Sequence, residues 1–245
     1  VNHIILAIEI SYMFPYHHIA YLDSQNNVVN HRSLDWGFKY FSYLLRIKDL
    51  VKELNPTSLL DVGCGEGRFL GLLDNSIQKV GVDLSPRPIR FAKAFHPEIE
   101  FHAKDANNLE GLFDVVTAIE VLEHIPDEEV SNFFKILEKR TKPNGKIIIS
   151  VPTTVLPTSK KHYRHYTINT FKNQLIESNA ALKIKHVEYI YKSSLWLKIY
   201  SKITQNKFWI IEIKPLRNFI WKMVKSHYTH ANERNGEEMI VILAK

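Results

Sequence analysis

Asp61-Val62-Gly63-Cys64-Gly65-Glu66-Gly67 constrains this chain more than any other stretch. The 245 residues contain nine glycines, and three of them fall within these five positions, 63 to 67. The apolar run Ser58-Leu59-Leu60-Asp61-Val62 leads in, and a helical pattern over 66–74 follows. Glycines at such a turn let the backbone reverse tightly and approach a ligand closely. The helix that follows points its free N–H groups at that ligand. The spacing is not that of a dinucleotide loop, which needs Gly-x-Gly-x-x-Gly; here position 68 is Arg. Asp61 would repel a pyrophosphate, but it can accept hydrogen bonds from an ammonium group.

Around this loop, short continuous apolar runs alternate with helical patterns. Strands are predicted at 58–62, 79–83, 99–102, 113–119 and 146–151, with helices at 66–74, 86–95 and 127–141 between them. Asp127 is the predicted N-cap of the last of these, and Lys139-Arg140 suit its C-terminus. Pro143-Asn144-Gly145 turns the chain into the fifth strand. Runs without polar alternation indicate a parallel sheet covered on both faces, and strand–helix alternation indicates a doubly wound α/β fold. Ahead of it, Trp36, Tyr40, Tyr43, Leu44 and Ile47 fall at helical spacing. They predict a helix over 35–54, stopped by Asn55-Pro56. Thr167 is a candidate cap for a helix at 168–178. Further strands are expected at 182–190 and 238–243.

Three acids punctuate the strand ends. Asp61 precedes the glycine loop. Asp83, followed by Leu84, ends the second strand, where a carboxylate bonds ribose hydroxyls in α/β nucleoside sites. Asp105 follows the third strand, where a carboxylate can accept from an adenine amino group. Strand C-terminal ends are where open α/β sheets bind ligands.

Leu59 to Gly67 resembles the first motif of the class I S-adenosylmethionine-dependent methyltransferases. Asp83 matches that family's ribose-binding acid, Asp105-Ala106 its adenine-contacting pair, and Lys142 to Lys146 the turn before its fifth strand. The resemblance implies a Rossmann-like, seven-stranded, mostly parallel sheet with an antiparallel last strand. It implies S-adenosylmethionine as donor and S-adenosylhomocysteine as product, held by Asp61, Gly63, Cys64, Gly65, Asp83, Leu84, Asp105, Ala106 and Glu120. One methyltransferase domain over 1–245 is expected. It comprises an N-terminal helical lid (1–54), a donor-binding core (55–190), a basic aromatic helical insert (191–236) and the last strand (237–245).

Glu120-Val121-Leu122-Glu123-His124-Ile125 is similar to a segment of ubiquinone-pathway O-methyltransferases and of small-RNA 3′-terminal 2′-O-methyltransferases. There the two Glu and the His can hold a divalent metal. Many small-molecule and sugar methyltransferases carry the same segment without one, and no metal is expected at Glu120, Glu123 and His124. The RNA enzymes supply a further metal-binding His from the region after the fifth strand, for which His162 and His165 are the candidates here, but His162-Tyr163-Arg164-His165-Tyr166-Thr167 looks more like glycan-modifying methyltransferases. His124, His162 and His165 are the candidate catalytic residues, since histidine is a general base near neutral pH. The acceptor expected is a hydroxyl of a sugar or lipid-linked glycan. The alternatives are an RNA terminal ribose hydroxyl, a quinone-like phenol, and a non-catalytic nucleoside-binding scaffold.

Charge narrows the partners. Residues 1–150 carry 16 Lys+Arg and 20 Asp+Glu, whereas 151–245 carry 16 and 6. Within 192–234, nine basic residues stand against two acidic ones, among Trp196, Tyr200, Phe208, Trp209, Phe219, Trp221 and Tyr228. Basic amphipathic helices with aromatics read as membrane-surface elements. Here Leu216, Phe219, Ile220, Met223 and Val224 are the expected docking face. A single-stranded nucleic acid surface or a cap over the acceptor pocket are the other readings, nucleic acid being the less favoured. Cys64 is the only cysteine, so no internal disulfide forms and a reducing cytosol fits. The run Ile4 to Ile8 is too short and has no basic region before it, so no signal peptide is expected. A cytoplasmic protein, in contact with the inner membrane surface at most, is the expectation.

Overall fold

Phe38, Phe41, Leu44, Ile47 and Val51 recur along one face of a helix and are buried. In this computed structural model they belong to α1 (Leu34–Leu54). The structure describes residues 21–22, 25–29, 34–192, 194–204, 211 and 213–245. The aromatic and His-rich stretch Met13 to His18, the run Ile4 to Ile8, Phe208 and Trp209 lie outside them. Before α1, β1 (Tyr21–Leu22) and β2 (Val28–Val29) form a small antiparallel pair. Asn55 ends α1 with a left-handed φ of 47°, which an asparagine tolerates, just before Pro56.

The main sheet is built from β3 (Ser58–Val62), β4 (Gln78–Asp83), β5 (Glu100–Ala103), β6 (Phe113–Ile119), β7 (Thr141–Pro152), β8 (Lys183–Ile190), β9 (His230–Ala231) and β10 (Glu238–Ala244). Their order is β5-β4-β3-β6-β7-β10-β8-β9. The run from β5 to β7 is parallel, and β10 lies antiparallel between β7 and β8. All seven foreseen strands are present. The two-residue β9 adds an eighth at the edge, too short to register as a pattern in sequence.

Alternation within the apolar runs divides the side chains between two cores. Leu59, Ile240 and Ile242 face one; Leu60, Met239, Val241 and Leu243 face the other. On the first side lie α1, α2 (Arg68–Gly71) and α3 (Pro86–Phe95), together with α6 (Leu195–Thr204) and α7 (Lys214–Met223). The other side is covered by α4 (Asp127–Arg140) and α5 (Ile168–Glu177). Thr167 does cap α5, its hydroxyl accepting from the Thr170 amide at 3.1 Å.

Three expectations need correction. The helix expected at 66–74 is the single turn α2, because Gly67 stays left-handed at φ 76° and delays its start. The N-cap of α4 is Pro126, and Asp127 is already inside the first turn, where its charge suits the helix dipole. The expected docking face of α7 is split. Ile220 and Val224 are buried, whereas Leu216 and Phe219 are 39% and 60% exposed. Part of the basic insert is therefore core. Trp221 stacks on Phe38 of α1, with centroids 5.6 Å apart, and its indole N–H donates to the Asn26 carbonyl at 2.9 Å. Truncating so large a buried ring costs ~3–5 kcal/mol, so α7 is firmly tied to α1.

Candidate active site

The chain leaves β3 toward β4 and β5 on one side, and β6 lies on the other. The crevice beyond β3 and β6 is thus the switch point where such sheets take their ligands. Gly63 and Gly67 are the glycines this loop requires. Both have positive φ, and a Cβ on Gly63 would stand 2.5 Å from Val121, one on Gly67 2.5 Å from Phe101.

The donor half is already hydrogen bonded. Asp83 accepts from the Gly65 amide at 3.1 Å and the Ser85 amide at 2.8 Å. Asp61 lies opposite Thr117 in the β3–β6 register and accepts its hydroxyl at 2.7 Å. Asp105 accepts from the Asn107 amide at 2.7 Å. Each carboxylate keeps lone pairs for a ligand. Burial, partly offset by the Thr117 hydrogen bond and reinforced by the Asp83 charge, raises Asp61 to about 7. Burial also raises Asp83, against its two amide donors. A cavity of about 150 Å³ joins Asp61, Gly63, Cys64, Gly65 and Glu120 to Tyr40, Tyr43 and Leu44 of α1. Of the other donor candidates, Ala106 is buried in the turn after Asp105, and Leu84 is 49% exposed beside Asp83.

The acceptor half lies next to it. Glu120 leaves β6 with φ 55°, and a single 3₁₀ turn, Leu122–His124, follows. Glu123 is fully buried, and neither of its oxygens has a hydrogen-bond partner among the described residues. Burial, reinforced by the Glu120 charge, pushes it well above the usual carboxylate range. His124 Nε2 is 3.6 Å from Glu123 Oε1, while its Nδ1 is 2.9 Å from the Lys161 carbonyl. A carbonyl only accepts, so Nδ1 carries the proton and Nε2 keeps its lone pair.

The same argument extends to the other two histidines. His165 Nδ1 is 3.0 Å from the Leu156 carbonyl and must donate to it. With that proton on Nδ1, His165 Nε2 is the acceptor for His162 Nδ1, 2.9 Å away. This leaves the His162 Nε2 lone pair free, and its ring lies 4.7 Å from that of His124. Burial lowers both, with the surrounding positive charges helping at His162, which falls to about 4. Both imidazoles are therefore neutral at pH 7.

Three residues of this half had no role assigned from the sequence, although Arg164 stood within the His162 to Thr167 motif. Arg164 clamps the turn, donating to the carbonyls of Leu122 at 3.2 Å and Ile125 at 2.7 Å and pairing with Asp127 at 2.7 Å. Lys39 of α1 lies 3.4 Å from the buried Glu238. Burial opposes its charge, but Glu238, Glu120 and Glu237 outweigh that and raise it. Glu238 is itself raised, by burial and then by Glu120. The one available signal was a charged residue opening an otherwise apolar strand.

Glu123, His124 and His162 have ligand atoms within 4.8 Å of one another. An unpartnered carboxylate, with His124 fixed through its other nitrogen by the Lys161 carbonyl and His162 through its own by His165, fits a divalent cation. This set differs from the sequence trio in including His162 in place of Glu120.

The strand order, the acid-flanked glycine loop and the carboxylates at successive strand ends define a class I S-adenosylmethionine-dependent methyltransferase fold. The chain belongs to the family described as Methyltransferase domain, which matches residues 39–195. S-adenosylmethionine is the donor this family's site takes, and S-adenosylhomocysteine its product. Among relatives, the mitochondrial ubiquinone biosynthesis O-methyltransferase of Schizosaccharomyces pombe is 34% identical over 125 residues, covering 44% of this chain and 43% of its own length. That of Rickettsia conorii is 28% identical over 186 residues, covering 73% and 59%. The chain thus spans about half the length of these curated relatives. The magnesium protoporphyrin IX methyltransferase of Synechocystis PCC 6803, solved with S-adenosylhomocysteine, aligns with a TM-score of 0.57 at 14% identity, over 89% of this chain and 90% of that one. This last likeness concerns the fold alone.

Proposed function

We propose that this domain methylates the oxygen of a small-molecule phenol, of the kind handled in ubiquinone biosynthesis. The carrying observation is the convergence of two neutral imidazole lone pairs and the unpartnered Glu123 beside the donor cavity. A histidine held near pKa 4 is a weak base. A phenol, with a pKa of about 10, gives up its proton to so weak a base, or under a cation held by these residues, far more readily than a sugar hydroxyl does. The relatives' names support the phenol over the sugar or lipid-linked glycan that the sequence favoured.

In this mechanism Asp61 holds the donor's ammonium group, Asp83 its ribose hydroxyls, and Asp105 with Ala106 its adenine. Tyr40, Tyr43 and Leu44 close the cavity from α1 and exclude water. The acceptor oxygen is held in line with the sulfonium methyl, so proximity and orientation carry much of the rate. The C–O bond forms as the S–CH₃ bond breaks, and the phenol's proton leaves to His124 or His162 Nε2. Glu123, His124 and His162 would also hold a divalent cation, which when bound supplies Lewis acidity toward the acceptor hydroxyl. With those lone pairs engaged, the proton leaves to solvent.

The test is methyl transfer from labelled S-adenosylmethionine to a catechol or hydroquinone, set against free sugars and a short RNA. Transfer to the phenol, lost on chelation and restored by magnesium or manganese, is expected. Methylation of the sugar or the RNA with the phenol untouched overturns the proposal. A phenol rate indifferent to chelation leaves the histidines acting as base alone.

A further inference from the structure

Helices α6 and α7 are divided into three sectors each, where a helix lying on a core needs only two. With about 100° per residue, Leu197, Tyr200 and Thr204 turn one sector of α6 inward, and Lys198 and Lys202 occupy a second. The third sector is apolar and faces outward: Leu195 is 75% exposed, Ile199 49% and Ile203 60%. In α7, Arg217, Ile220 and Trp221 turn inward, while Lys214 and Lys222, continued by Lys225, form a basic stripe. Leu216 and Phe219 form its outward apolar sector. Neither 195–204 nor 213–225 contains an Asp or Glu. An outward apolar stripe edged by lysines, repeated on two helices, is the pattern that lies in a lipid interface. The uniform sign of the charge identifies an anionic surface.

We propose that α6 and α7 dock this protein on an anionic bilayer, with the outward apolar sectors inserted among the lipids and the lysines at the headgroups. The inward sectors set the geometry of that docking. Leu197 and Trp221 bury against the same core as α1, and Trp221 stacks on Phe38 of that helix. The helix bearing Tyr40, Tyr43 and Leu44 of the donor cavity is thus fastened to the docking elements. Docking here brings the donor site to a lipid surface without any segment crossing it, and no helix among the described residues is long and apolar enough to cross.

Co-sedimentation of the full chain with vesicles of phosphatidylcholine alone, and of phosphatidylcholine with phosphatidylglycerol, tests this. Binding to the mixed vesicles alone is expected, weakening as salt screens the lysines. Ile199→Asp with Phe219→Asp should lower partitioning roughly tenfold or more, and Lys214→Glu with Lys222→Glu should remove the preference for phosphatidylglycerol. Both substitutions alter exposed side chains, so circular dichroism and S-adenosylhomocysteine binding should be unchanged. That second readout separates loss of docking from failure of the donor site. No sedimentation with anionic vesicles at low salt overturns the proposal. So does a wild-type dimer that the Asp pair dissolves, which would make these sectors a self-association face. Tight binding of single-stranded RNA without any vesicle binding would reassign the basic stripe to nucleic acid.

Discussion

Asp83 and Glu123 are both buried carboxylates at the ligand edge of one sheet, and they are held in opposite ways. Asp83 accepts from two backbone amides before any ligand arrives. Glu123 has no hydrogen-bond partner among the described residues and faces a histidine nitrogen that offers only a lone pair. Burying an unpaired charge is costly, so such a group takes up a proton or a cation. The donor half is complete as the chain folds, whereas the acceptor half is completed by what it binds. Binding a charged ligand there relieves an unfavourable burial, and that relief favours capture.

Glu123→Gln breaks the comparison most sharply. Removing the unpartnered charge should lower methyl transfer by ~10²–10⁴-fold, without lowering the melting temperature. A clear loss of thermal stability, read by calorimetry, would mean that Glu123 is a paired structural group after all. The pH dependence points the same way. A carboxyl raised in the folded state contributes stability below its unfolded pKa and loses it as pH rises through the folded value. Wild type should therefore lose a stabilising contribution as pH rises past the ordinary carboxylate range, and Glu123→Gln should lose less.

Asp83→Ala probes the completed half. It removes a charge that serves two amides and, in the proposed role, the ribose, and should weaken S-adenosylhomocysteine binding by about 1.5–3 kcal/mol. Titration calorimetry at fixed pH measures it. Affinity unchanged from wild type would place the nucleoside elsewhere.

Asp61 gives the smallest and most diagnostic effect. With its carboxyl raised to about 7, it ionises as pH rises through that value, and its proposed role of holding the donor's ammonium group belongs to the ionised form. Donor-product affinity should therefore rise by roughly a pKa unit's worth, about tenfold, between pH 6 and 8. Asp61→Asn should flatten the profile. A wild-type profile already flat would separate Asp61 from the ammonium group.

The proposed donor half could be read from the chain because its parts are local. A glycine loop between an apolar run and a helix, and an acid at each following strand end, lie at short fixed spacings. The backbone geometry they need is written in residue type, as at Gly63 and Gly67. The acceptor half was legible only as parts. Glu123, His124 and His162 stood out by residue type, yet nothing in the spacing said that His162, 38 positions on from His124, would lie across from it. Lys39 and Glu238 were passed over because one sat in a lid helix and the other opened the last strand.

By itself, then, the order of residues determined the elements, the two-sided sheet and the donor loop, since each depends on periodicity and backbone conformation within a few residues. The tertiary structure decided which lone pairs converge and which carboxylates lose their water. It also decided that Ile220 and Trp221 turn inward while Phe219 turns out. Those outcomes depend on burial and on hydrogen bonds between segments far apart in the chain, such as the Lys161 carbonyl that orients His124. Desolvation and proton position are properties of a packed site, and only the packing supplies them.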